Sequence, residues 1–380
     1  MLQALATQVA LDDMGIENET IDVSGFKIEI DKEKKRYFIK AAFSSDILRD
    51  KKGKLLDRVH KKVIKDKYAK NSVIRKNKFE EFLKREFRLS EKNNSLKELS
   101  NQCFKYDAII VGSDQLWLPG NIVADYFTLN FVPIGINTIA YSTSFGQASI
   151  PSDIEERAYK FLKKIKHISV REETGQELIN KIVGRKVPVV CDPTMLIDAK
   201  RWTELWRDEK KFEKKYIFCY FLGTNKKHRD FAKRLKKETG YKLVSIPHVD
   251  EYVKVDELYA DEKLYDIGPS EFVKLIHEAE YVCTDSFHAT VFSILFHKKF
   301  YSFRRYKGNT RQSTNSRLDT LFSMTGIENR LLSGYEDINS VINLDIDYVE
   351  VDKKVAILKE KSKEYLFKAV NDLEDTDLVN

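Results

Sequence analysis

The 380-residue chain is 42% apolar and 33% charged, which suffices for two ordinary globular domains and is too apolar for a disordered chain. Its 66 basic and 59 acidic residues leave a net charge of +7 with both signs mixed along the sequence. That excludes a dense nucleic-acid-binding block and leaves a mild attraction for phosphorylated ligands or for peripheral contact with an anionic membrane surface.

No apolar run reaches the roughly 18 residues of a bilayer span, and the N-terminus lacks a secretory-signal pattern, so a cytoplasmic location, at most at the inner face of the membrane, is expected. Cys103, Cys191, Cys219 and Cys283 are widely spaced with no CxxC among them. Reduced core cysteines and no metal site are expected.

Leu2, Leu5, Val9 and Met14 recur at helical spacing and Gly15 follows as a stop, so the sequence opens on a helix. ETIDVSGF then reads as a strand. Residues 32–102, rich in Lys, Arg and Glu, read as exposed helices, with DRVHKKVIKDKYAK and KFEEFLKREF amphipathic. YDAIIVGSDQLW is a buried strand opening into a polar loop, which makes Gly112, Ser113, Asp114 and Gln115 a cleft candidate, an ordinary turn being the alternative. NTIAYSTSFG repeats the pattern. Its small hydroxyls and glycine at Ser142, Ser144 and Gly146 would admit an oxyanion.

A helix near 153–165 leads to the strand HISVRE, ending at Arg171, and then to the helix ETGQELINKIV. VPVVCDPTML reads as a further strand, terminated because Pro193 lacks an amide proton. After Trp202 the charged WRDEKKFEKK reads as a crossing between domains. A second α/β set follows: strand YIFCYFLG, helix KKHRDFAKRLKKET, strand YKLVSIP, a loop over 250–266 and helix PSEFVKLIHEA. In YVCTDSFHATVFSILFHKKFYSF a strand turns sharply at Asp285-Ser286 into a helix. The start of that helix would favour an anion at Ser286 or Phe287 beside the imidazole of His288; a plain capped helix with a hydrogen-bonded histidine is the alternative. A last amphipathic helix near 352–371 precedes an acidic tail.

LQALATQVAL, DAIIVGSDQLW, IAYSTSFG, ISVREETG, CDPTMLI with Trp202, YFLG, TDSFHATVFSILF, and SRLDTLF with GIENR, in that order, resemble the polysaccharide pyruvyl transferase family over residues 2–330. The resemblance implies two facing Rossmann-like α/β domains of the glycosyltransferase-B type with a cleft between them. These are expected at residues 1–200, carrying the charged insert, and 201–350, carrying the His288 helix; the C-terminal helix and tail fill 351–380. It implies transfer of pyruvate from phosphoenolpyruvate, as donor substrate with no further cofactor, onto a sugar, oligosaccharide or lipid-linked glycan as a ketal during cell-surface or exopolysaccharide synthesis.

Such chemistry needs a proton for the methylene carbon and cations for the anionic donor. His288 is expected to carry the proton and Arg171 to bind carboxylate or phosphate. Arg304, Arg305 and Gly223 are further binding candidates. A nucleotide-sugar glycosyltransferase and a non-catalytic scaffold are the competing readings. Two departures from the family pattern stand out. Ala289 follows the histidine where glycine is usual, and the strand and glycine-bearing loop usual before the LQA helix do not stand ahead of Leu2: either they are encoded upstream of Met1, which is the expectation, or the chain lacks its first strand.

Overall fold

The computed structural model describes residues 1–42, 65–206, 215–248, 253–306 and 315–372. The protein is α/β, with two parallel sheets. The first runs β1 (Ala108–Asp114), β2 (Asn137–Thr143), β3 (His167–Val170) in that spatial order. The second holds β4 (Tyr216–Tyr220), β5 (Lys242–Ser245), β6 (Glu262–Lys263), β7 (Tyr281–Thr284), β8 (Lys299–Phe303) and β9 (Leu331–Leu332), ordered β6-β5-β4-β7-β8-β9. All pairings are parallel, as strands joined through crossover helices require. In the second sheet the chain steps outward from β4 through β5 and β6, then returns to β4's other side as β7. Ligand crevices form at such a reversal, at the carboxyl ends of β4 and β7.

Burial follows from position. β2, central in its sheet, is buried along nearly its whole length, whereas β1 alternates between buried and half-buried residues. The helix Ser152–Lys164 buries Ile154, Ala158, Phe161 and Leu162, a spacing that lays one apolar stripe on the sheet. The opening helix spans Leu2–Asp13 and stops where Gly15 takes φ +73°.

One continuous apolar cluster joins the two sheets, from Leu5 and Tyr141 through Trp202 to Phe292 and Leu366. Trp202 meets Phe292 edge-on at 4.9 Å between centroids. Each such ring contributes about 1.5–3 kcal/mol by leaving water.

Two segments expected as strands are not ladder strands. ETIDV makes a single bridge, Thr20 to Leu89, and VPVV a single bridge, Val189 to Val170. In the second case Pro188 and Pro193 bracket the segment and remove two donors, so pairing ends after the bonds Val170 N to Pro188 O and Val190 N to Val170 O. The groove between Glu17–Ile21 and β1, about 1600 Å³, is lined by Leu11, Ile21, Ile109, Val111 and Tyr126.

The basic region is more than solvated surface. Its helix Lys65–Glu86 docks on the helix Pro269–Glu278 of the second half through the Lys78–Glu271 ion pair and a 3.1 Å bond from Arg85 to Ser270. The first part of DRVHKKVIKDKYAK, most of WRDEKKFEKK and the acidic tail lie outside the described residues. The loop expected over 250–266 contains a short helix, Lys254–Glu257, and β6.

The long helix Tyr348–Val370 straps both halves. Near its start, Tyr348 donates to Lys298 O at 2.6 Å and Asp352 meets His297 at 2.9 Å. Near its end, Asn137 donates to Ala369 O at 2.8 Å and Ser362 accepts from Cys191 N at 3.0 Å. The four cysteines are buried and unpaired. Among the described residues no helix is long and apolar enough to cross a membrane.

Candidate active site

The carboxyl ends of β1, β2 and β3 supply one wall of a polar cleft. Gly112 permits β1 to lie against β2, because a Cβ there would stand 2.4 Å from Tyr141 O. Asp114 then adopts φ +89° and Ser142 φ +53°, conformations uncommon for residues with side chains and concentrated at functional sites. Gly146, at φ +64°, leaves room for Gln115, whose Nε2 would be 2.2 Å from an added Cβ. β3 ends by delivering Arg171 and Glu172, both buried.

Asp192 is the hub of this wall. Its Oδ2 accepts from Ser113 Oγ at 2.8 Å and from Arg171 Nη1 at 2.7 Å, and its Oδ1 accepts from Thr194 N and Oγ1 at 3.0 and 2.7 Å. The other face of Arg171 reaches Asp114, with Nη2 3.2 Å from Oδ1. Arg317, from the helix Ser316–Thr325, approaches the same oxygen at 3.5 Å. Beside them Ser144 Oγ donates to Glu172 Oε1 at 2.8 Å and accepts from Gly146 N at 2.9 Å.

The second half closes the cleft with the helix Phe287–Leu295. Ser286 caps it by accepting from Ala289 N. The Phe287 ring carries both guanidiniums, Arg171 at 4.5 Å and Arg317 at 5.8 Å from its centroid. His288, in the first turn, holds Nε2 3.5 Å from Asp192 Oδ2 with its side chain one-fifth exposed. Asp285 faces the other way. It accepts from Leu222 N at 2.6 Å and Gly223 N at 3.0 Å, with Arg305 Nε at 3.8 Å and His228 Nδ1 at 3.6 Å.

Charge is distributed unevenly among these groups. Burial would raise Asp192, but His288 and Arg171 outweigh it and hold the carboxyl well below the usual range. Asp114 follows the same balance, with Arg171, His288 and Arg317 bringing it to about 2. Burial drives Arg317 down to about 10, and the neighbouring charge of Arg171 adds to that. Burial raises Glu172, with Arg171, Arg317 and Ser144 offsetting part of it. Gln115 Nε2, Ser142 Oγ, Arg171 Nε, Glu172 Oε2, His288 Nε2 and Arg317 Nε are buried with no hydrogen-bond partner among the described residues. Buried polar groups without a protein partner are uncommon, and each calls for a water, an ion or a ligand.

The structure thus brings Ser113, Asp114, Arg171, Phe287 and His288 together, with Ser144 bonded to Glu172 and Gln115 packed on Gly146 beside them. Gly112 and Ser286 serve as backbone spacer and helix cap. Gly223 and Arg305 gather around Asp285 rather than Asp192, and Arg304 forms an exposed ion pair with Asp319 at 2.5 Å. Sequence reasoning missed Asp192, Glu172 and Arg317. Asp192 carried a signal, a carboxylate beside a proline at the end of an apolar run, whereas Arg317 lies in a helix whose approach to Arg171 is set by tertiary packing alone. Among the described residues no three His, Cys, Asp or Glu side chains are gathered as metal ligands.

A family model described as polysaccharide pyruvyl transferase matches residues 1–306. No curated protein matches the chain. Similar solved structures include the UDP-GlcNAc 2-epimerase of Neisseria meningitidis bound to UDP-GlcNAc, 13% identical at a TM-score of 0.39 over 74% of this chain and 84% of that one. The UDP-GlcNAc 2-epimerase of Methanocaldococcus jannaschii is 12% identical at 0.44 over 73% and 80%. A putative UDP-N-acetylglucosamine 2-epimerase from Listeria monocytogenes is 10% identical at 0.44 over 77% and 82%.

Proposed function

Because the chain belongs to the polysaccharide pyruvyl transferase family, and is therefore a transferase, we propose that it moves pyruvate from phosphoenolpyruvate onto two hydroxyls of a sugar as a ketal. The observation that supports this most is the convergence of Arg171, Arg317 and the His288 imidazole on one cleft. Two guanidiniums suit a small ligand bearing a carboxylate and a phosphate, because each presents a planar fork of donors.

In this reading a proton passes to the methylene carbon of the donor and the central carbon becomes electrophilic. One sugar hydroxyl adds to it, and a second displaces inorganic phosphate. Of the two hydroxyl protons released, one balances that on the new methyl group and the other leaves with phosphate. His288 is the group we assign to this proton traffic: an imidazole can give and take protons near neutrality, and Asp192 sits where it can orient the ring and offset its positive charge. Arg171 and Arg317 bind the donor's anionic groups. The acceptor is a sugar, free or within a lipid-linked glycan, in cell-surface or exopolysaccharide synthesis; a lipid-linked acceptor would bring the protein to the inner membrane face.

The test is to incubate the protein with phosphoenolpyruvate and candidate sugar acceptors, measuring released phosphate and an acid-labile ketal. Consumption of a nucleotide-sugar with a glycosidic product, phosphoenolpyruvate remaining inert, would replace this reading with that of a glycosyltransferase.

A further inference from the structure

We propose that Asp114 is a displaceable stand-in for the ligand: its carboxylate occupies the anion position between Arg171 and Arg317, and only a ligand that satisfies both guanidiniums evicts it. This rests on the reading of the cleft as a donor-anion site, and it narrows the ligand class to small molecules carrying two anionic groups.

The two carboxylates that touch Arg171 are differently built. Asp192 is buried, with both oxygens accepting short bonds from fixed donors. The Asp114 side chain is 45% exposed, and its Oδ1 reaches Arg171 at 3.2 Å and Arg317 at only 3.5 Å. A charged hydrogen bond at its best lies near 2.7–2.9 Å, so both contacts are slack. The guanidiniums are correspondingly under-used, each retaining an Nε with no partner among the described residues. The Asp114 backbone, at φ +89°, holds the carboxylate in place from a conformation that costs energy.

A carboxylate so placed can swing into solvent by side-chain rotation. Asp192 cannot. A monoanion that evicts Asp114 merely exchanges one carboxylate for another and gains little. A ligand with a carboxylate and a phosphate supplies acceptors to both arginines and leaves the exchange favourable. Asp114 therefore lowers the affinity of every anion by the same factor, and only a ligand whose own contacts to both arginines exceed that cost stays bound.

The test compares the parent protein with Asp114→Asn and Asp114→Gly, which both accept positive φ, by calorimetric titration with inorganic phosphate, pyruvate and phosphoenolpyruvate, after thermal melts confirm folding. Phosphate binding should tighten about tenfold in both variants, as expected when a competing charge leaves the site. Pyruvate and phosphoenolpyruvate should gain by a similar factor, because each must evict the same carboxylate in the parent. Equal or weaker phosphate binding in the two variants, no phosphate binding by any of the three proteins, or failure of both variants to fold would overturn the proposal. Tightening for phosphate with phosphoenolpyruvate unbound would leave the stand-in intact and overturn the donor assignment alone.

Discussion

His288 and Asp192 face each other across the junction of the two halves, with imidazole Nε2 3.5 Å from carboxylate Oδ2. One comes from the helix after β7 and the other from the turn at Pro193, so the pair forms only when both halves are in place. His288→Gln keeps size and some hydrogen bonding but cannot titrate. It should lower kcat for phosphate release by about 10²–10⁴-fold with little change in melting temperature. Turnover near that of the parent would return His288 to a structural role.

Asp192→Asn should be destabilising as well as inactivating. The substitution leaves Arg171 buried with one firm partner removed, and breaking a buried pair costs about 3–5 kcal/mol. Chemical denaturation of the variant checks this, and a loss under 1 kcal/mol would show that Arg171 is held by other groups.

Arg317→Met separates stability from binding. Burial and the neighbouring Arg171 both disfavour its charge, so an apolar side chain of similar length should leave the melting temperature unchanged or raise it. Phosphoenolpyruvate affinity should fall by roughly 1.5–3 kcal/mol, the scale of a hydrogen bond to a charged group. Isothermal titration and a thermal melt on the same sample provide the check; unchanged affinity would remove Arg317 from the site.

Stability should vary with pH in two opposite limbs. Asp114 and Asp192 are depressed in the fold, so the stability they contribute is present above their ordinary value near 3.8 and is lost as pH falls, for Asp114 toward about 2. Glu172 is raised, so its contribution is complete below its ordinary value near 4.5 and declines as pH climbs through the raised value. Glu172→Gln should flatten the second limb and leave the first. Melting curves recorded from pH 2 upward decide it; a variant whose decline above pH 4.5 matches the parent's would show that another group is responsible.

Much of the fold was legible because apolar runs ending in polar residues mark strands that deliver loops to a cleft. The helix Glu173–Val183 coincides with ETGQELINKIV, and Arg171 stands at the strand end where the pattern put it. The β-branched residues of ETIDV and VPVV gave a strand signal that tertiary context did not use, since each segment finds one bridge rather than a ladder. Arg304 and Arg305 look alike in sequence but leave β8 on opposite sides, one toward exposed Asp319 and the other toward buried Asp285. The meeting of Arg317 with Arg171 over Phe287 joins residues 146 positions apart, and no local pattern reports it.

The strap formed by Tyr348–Val370 also dictates when the first half can finish folding. Tyr365, Leu366 and Ala369 belong to the same apolar cluster as Ile139 and Tyr141, so that surface stays open on a growing chain until the strap leaves the ribosome. Loops closed over such distances form slowly, and an apolar face left waiting is a target for aggregation. The amino-terminal half is thus the first made and among the last completed.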